Sequence, residues 1–149
     1  MLAWRNAMES NAVPDAASLY APAVRINGEG GLATPSRMHD YWRDRHAIPG
    51  WSFRREHGDE PEVTWEAPLA TAQERRACGD GAVARAVLRM VQLHPQRSST
   101  TSRAVPCETL RGRYRLRLRE TPAGWRICDE TFLLVDFCAS CPAARACRR

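Results

Sequence analysis

Lysine is absent from this chain, and all 22 basic residues are arginine. So one-sided an excess reflects a GC-rich coding sequence as much as selection for a binding surface. The net charge of +5 and the pI near 9.2 are therefore weak pointers to nucleic acid. Acids also interleave with the arginines, as in Tyr41-Trp42-Arg43-Asp44-Arg45 and Arg54-Arg55-Glu56, which argues against a nucleic-acid partner. No apolar run approaches the roughly 18 residues of a membrane helix, and Met1-Leu2-Ala3-Trp4-Arg5 lacks the apolar core of a signal peptide. A cytoplasmic protein with no membrane partner is the expectation.

Without a secretory signal, Cys78, Cys107, Cys128, Cys138, Cys141 and Cys147 are expected to be thiols, not disulfides. Cys138-Ala139-Ser140-Cys141 followed by Cys147 looks like half of a zinc ribbon, but no second Cys-x-x-Cys pair completes four ligands, so no metal site is expected. Residues 138–149 read as a loosely ordered Cys- and Arg-rich extension. The preceding residues 1–137 suit a single domain, and 44% hydrophobic with 26% charged residues is a globular composition.

What is present is a stripe. Residues 111–119 place arginine at every odd position and Gly112, Tyr114, Leu116 and Leu118 at the even ones, the period of a half-buried strand. Thr121-Pro122-Ala123-Gly124 supplies turn chemistry, and Trp125 to Val135 returns as a second strand rich in aromatic and branched side chains. A four-residue loop would set Leu118 opposite Ile127, Leu116 opposite Asp129 and Tyr114 opposite Thr131. Asp129 then points to the apolar face, with Arg117 against Cys128 and Arg115 against Glu130 behind it. A one-residue slip would set Leu116 against Glu130 instead, and a bulge near Asp129 would turn that carboxylate to solvent.

Upstream, Leu2 to Ser10 reads as a short helix with Trp4 and Met8 on one face, and Asp15 as the N-cap of a second helix through Tyr20 that Pro22 stops. An extended Ala23 to Asn27 follows. Thr34 as N-cap with Pro35 at the first position starts a stronger helix to about Ala47, with Met38, Tyr41, Trp42 and His46 in one stripe. Trp51 to His57 and Val63-Thr64-Trp65 read as strands, residues 67–80 carry no clear signal, and 82–94 fits helix or strand equally. Trp125 is expected to be largely buried on the sheet.

The order of these elements, with Ala17-Ser18-Leu19-Tyr20-Ala21-Pro22, Gly79-Asp80-Gly81-Ala82-Val83-Ala84 and Gly124-Trp125-Arg126-Ile127, resembles the nuclear transport factor 2-like superfamily, specifically its SnoaL-like branch, over most of residues 2–137. The resemblance implies an α+β fold: a cone-shaped, strongly bent antiparallel sheet packed on short N-terminal helices and enclosing one apolar pocket. It makes 82–94 a strand. It implies a homodimer, no cofactor, and either of two roles. One is an enzyme acting by proton transfer, of isomerase, dehydratase, cyclase or hydrolase type, on a small apolar or aromatic metabolite. The other is a noncatalytic binding module, or a subunit similar to the small subunit of ring-hydroxylating dioxygenases beside a catalytic chain. Many members carry an acid shortly after the Leu-Tyr-Ala motif, where this chain has Pro22-Ala23-Val24.

In such a pocket Asp129 is the expected general acid or base, because apolar surroundings raise a carboxyl pKa. Tyr20, Tyr41 and His57 are the expected helpers, as hydrogen-bond donors or a second base. Trp42, Trp51, Phe53, Tyr114, Leu116, Ile127 and Thr131 are expected to line the pocket. His39 and His46 lie seven apart on one helix face without a third ligand and are read as surface or packing residues.

Overall fold

The arginine stripe forms one arm of a long hairpin, β6 (Cys107–Thr121) against β7 (Gly124–Cys138). Thr121 pairs with Gly124, so the loop is the two residues Pro122 and Ala123, and Gly124 leaves the turn with φ at 92°. A positive φ of that size suits glycine. The structure, a computed structural model, describes residues 2–27, 31–49, 51–56, 61–67, 69–95 and 107–138.

Three helices precede most of the sheet: α1 (Leu2–Glu9), α2 (Val13–Ser18) and α3 (Pro35–His46). Thr34 caps α3 by accepting from the Arg37 backbone N–H, with Pro35 at the first turn. The second helix departs from expectation: its N-cap is Ala12 without a side-chain bond, and Tyr20 already belongs to β1 (Tyr20–Ile26). Pro22, which has no N–H to donate, falls where the pairing register of β1 shifts, between Tyr20 and Arg25. The remaining elements are β2 (Leu32–Ala33), β3 (Ser52–Arg55), β4 (Glu62–Glu66), α4 (Ala72–Cys78) and β5 (Val83–Pro95), so the ambiguous segment is a strand.

Among the described residues the strands form one sheet in the order β2-β1-β7-β6-β5-β3, with β4 pairing the first half of β5. It is antiparallel except at β1 and β7, which run parallel. The bent inner face closes over α1, α2 and α3 in a core that includes Trp4, Met8, Val24, Met38, Trp42, Leu88 and Leu116. On the other face, α4 packs Ala77 and Cys78 against Ala21, Val83 and Cys128. A capping box starts α4: Thr71 accepts from the Glu74 N–H while Glu74 accepts from the Thr71 N–H.

Two expectations about this outer face are corrected. Cys78 and Cys128 are joined in a disulfide, because α4 lies on β7 and brings their Cα atoms to 5.1 Å. Trp125 is 42% exposed and meets the exposed Trp65, ring centroids 5.6 Å apart, at the end of the hairpin and off the core. The cysteines beyond residue 138 lie outside the described residues.

Candidate active site

The hairpin starts in the expected register, Leu118 opposite Ile127, and then shifts by one residue between Arg117 and Leu118. Cys128 is the extra residue of a β-bulge. Beyond it Leu116 faces Glu130 and Tyr114 faces Phe132, while Arg117 faces Asp129 and Arg115 faces Thr131. The bulge thus reverses the faces of 129–132. Asp129 and Thr131 stand on the outer, arginine-bearing side, and Glu130 is the acid that enters the core.

Glu130 is buried, and its environment is specific. Its Oε2 accepts the Tyr20 hydroxyl. The Tyr20 oxygen in turn accepts the indole N–H of Trp4 at 2.8 Å and of Trp42 at 3.0 Å. A phenol has one donor and two acceptor positions, so two indoles fill its lone pairs and its own proton must go to Glu130. Burial pushes the Glu130 carboxyl up to about 7, with Asp129 adding to the rise while the Tyr20 hydrogen bond and Arg45 oppose it. Burial, and then the Glu130 charge, raise the Tyr20 hydroxyl well above the ordinary phenol value, so it stays protonated. When Glu130 is protonated, Tyr20 still donates to Oε2, which leaves Oε1 to carry the proton. The arrangement is therefore a carboxyl group able to give or take a proton near neutrality at one oxygen, with the other anchored.

The remaining expected residues are distributed around this pair. Tyr114, Trp42, Trp51, Phe53, Leu116 and Ile127 are all buried in the inner core. The Tyr114 hydroxyl accepts from the Gln92 side-chain amide. Tyr41 is half-buried, edge-on to Trp42, with the Arg45 guanidinium 4.3 Å from its ring centroid. Tyr41 thus sits in the aromatic wall. Thr131 is not on this face: its hydroxyl donates to Asp129 Oδ1 at 3.1 Å and accepts from Arg115 at 3.2 Å. His57 lies outside the described residues. His46 packs edge-on against Trp51, and burial lowers its pKa.

Asp129 belongs to an ion-pair cluster on the outer face. Its Oδ2 lies 2.9 Å from Arg117 and 3.6 Å from Arg25. Both arginines also reach Glu74, at 3.2 and 2.9 Å, and Arg117 reaches Glu66 at 2.7 Å. Glu74 is held down to about 2, first by the Thr71 hydroxyl and also by the two arginines. Among the described residues no three His, Cys, Asp or Glu side chains converge as metal ligands.

Sequence reasoning missed Glu130 and Trp4. The slipped pairing of Leu116 with Glu130 was the signal for the first; Trp4, one turn before Met8 on the apolar face of α1, was the signal for the second.

A cleft of about 560 Å³ opens beside Tyr20, between the start of β1, the start of α3 and the hairpin loop. Tyr20 forms part of its wall, with Pro22, Pro35, Arg119 and Arg126.

Comparison with known proteins adds family and fold. A family model described as a SnoaL-like domain matches residues 2–131. No curated protein sequence matches significantly. Among solved structures, a candidate aromatic ring hydroxylase from Novosphingobium aromaticivorans superposes with a TM-score of 0.58 at 10% identity, over 94% of this chain and 87% of that one. A candidate scytalone dehydratase from the same organism gives 0.54 at 14%, over 97% and 89%. A candidate dehydratase of the NTF2-like family from Streptomyces avermitilis gives 0.55 at 16%, over 91% of each. At identities this low the superpositions show a shared fold alone.

Proposed function

Since the chain belongs to the SnoaL-like domain family, we propose that it is an enzyme that moves a proton on a small apolar or aromatic molecule, with Glu130 as the acid or base and Tyr20 as its anchor. The observation that carries this is the buried Glu130 carboxyl, raised to about 7 among aromatic side chains, whose Oε2 accepts the Tyr20 hydroxyl. A group half-protonated near the working pH serves both halves of a proton transfer, and an apolar enclosure strengthens its interaction with a developing charge. The structural relatives named for dehydration carry this chemistry in their names, and they support the reading by analogy of fold. Asp129, expected in this role from the sequence, is held on the outer face by Arg117 and Arg25.

The test is hydrogen–deuterium exchange at the acidic carbon of a small aromatic ketone, 2-tetralone, followed by NMR. The protein should accelerate exchange above the buffer rate, with a pH limb near 7. Glu130→Gln should lower the acceleration by about 10² to 10⁴, and Asp129→Asn should keep it within a few-fold. A folded Glu130→Gln protein exchanging as fast as the unaltered one rejects the assignment.

A noncatalytic binding or subunit role is the second reading, favoured by the tight ring packing of Trp4 against Trp42, Phe53 and Tyr114 at centroid distances of 5.6 to 6.1 Å. Absence of any acceleration by the unaltered protein, across a panel of such ketones and their alcohols, would favour it.

A further inference from the structure

Arg119 and Arg126 stand directly opposite each other on β6 and β7, and both line the cleft beside Tyr20. Like charges facing across a strand pair destabilise it. Three other arginines of this sheet meet acids: Arg117 meets Glu66, Glu74 and Asp129, Arg25 meets Glu74, and Arg85 meets Glu66. Among the described residues no acid is paired with Arg119 or Arg126. The Arg119 Nε is buried and makes no hydrogen bond, and Arg126 donates through Nη1 to the carbonyl oxygen of its neighbour Trp125. Two arginines facing across the strand pair and lining one cleft offer the donors that a planar oxyanion accepts in paired hydrogen bonds.

The cleft also limits what the anion is attached to. Among the described lining residues Glu120 is the lone carboxylate, so two cations against one anion leave a single positive charge. A carboxylate matches that charge, and a phosphate dianion exceeds it. The rest of the wall is mainly apolar, with Pro22, Pro35, Pro122, Ala123 and Tyr20. Pro35 is the first residue of α3, so the positive end of that helix adds to the preference for an anion. A volume of about 560 Å³ is in the range of small-molecule sites.

We propose that this cleft binds a small aromatic or apolar monocarboxylate, its carboxylate bridging Arg119 and Arg126 and its apolar body resting on the prolines and the Tyr20 ring. The proposal stands apart from the proton-transfer reading, because it is read by binding and not by turnover.

Isothermal titration of the full chain with 2-naphthoate, with its neutral isostere 2-naphthamide and with inorganic phosphate tests it. Naphthoate should bind roughly tenfold or more tighter than the amide, and phosphate at about 10 mM should not displace it. Arg119→Gln and Arg126→Gln should each cost naphthoate about tenfold and leave the amide unchanged, while Arg119→Lys should lose less. Equal affinity for acid and amide, or naphthoate affinity unchanged in both glutamine variants, overturns the proposal. Displacement by phosphate overturns the carboxylate assignment. Should a variant fail to fold, the comparison of acid with amide on the unaltered protein decides.

Discussion

The Tyr20 hydroxyl and the Glu130 carboxyl, 110 residues apart in the chain, meet in a buried hydrogen bond in which the tyrosine oxygen has no lone pair to spare. The pair makes stability depend on pH in a defined direction. Glu130 has a folded pKa of about 7 against an ordinary value of 4.5, so the folded state binds the proton more tightly. Its contribution is fully present below about 4.5 and is lost as pH rises through 7, on the order of 3 kcal/mol in all. Glu130→Gln should therefore flatten the fall in denaturation midpoint between pH 5 and 8. The same slope in the variant and the unaltered protein would rule Glu130 out as its source.

Gly112 is the one small residue on the inner face of the stripe, and the Phe132 ring occupies the place a side chain would take. A Cβ built there would collide with that ring and lie 2.7 Å from the Leu133 carbonyl oxygen. The backbone oxygen cannot move aside without disturbing the hairpin. Gly112→Ala should cost about 1 to 3 kcal/mol despite the gain in strand propensity, measured by urea denaturation.

Two tryptophans give opposite outcomes. Trp42 is 1% exposed and bonds Tyr20, so Trp42→Ala should cost about 3 to 5 kcal/mol and be close to unfolding the domain. Trp125 rests on Trp65 at the surface, and Trp125→Ala should cost about 1 kcal/mol or less. Equal losses would place Trp125 in the core after all.

The crosslink should be measurable as stability. Cys78 and Cys128 are 50 residues apart, a loop long enough for its closure to restrain the unfolded chain appreciably. Under a thiol reductant, or in the Cys78→Ser/Cys128→Ser protein, the unfolding free energy should fall by about 2 to 4 kcal/mol. No change on reduction, with the thiols titrated as free before and after, would show that the pair is not joined in solution.

A homodimer is proposed through the outer end of β7, where Leu133, Leu134 and Val135 are about half exposed or more in succession. Sedimentation at high micromolar concentration should report twice the chain mass, and Leu133→Glu should return it to the monomer. A monomer in the unaltered protein removes the proposal.

The hairpin, the capped helix at Thr34 and the order of elements were legible because each rests on a local pattern: alternation, a hydroxyl before proline, turn residues between strands. The bulge was not. Residues 127–135 run Ile, Cys, Asp, Glu, Thr, Phe, Leu, Leu, Val, and with two adjacent acids followed by an unbroken apolar run, either register buries an acid and several apolar side chains. What decides is tertiary: Arg117 and Arg25 hold Asp129 outside, while Tyr20 receives Glu130 inside. Helix α4 carried a readable signal in Thr71 and Glu74, three apart, but its short length hid the periodicity. The disulfide depends on where that helix docks, which no local pattern records.

The bulge at Cys128 also makes β7 a partition one peptide thick, with a carboxylate on each side of it. The Asp129 charge is among the causes that raise Glu130, so the two sides are electrically in touch although no side chain passes between them. Arg117 and Arg25 pair with Asp129, and with Glu74 they stand 11 to 18% exposed, within reach of salt. A change of charge in that cluster is therefore expected to move the proton affinity of Glu130 through the strand itself.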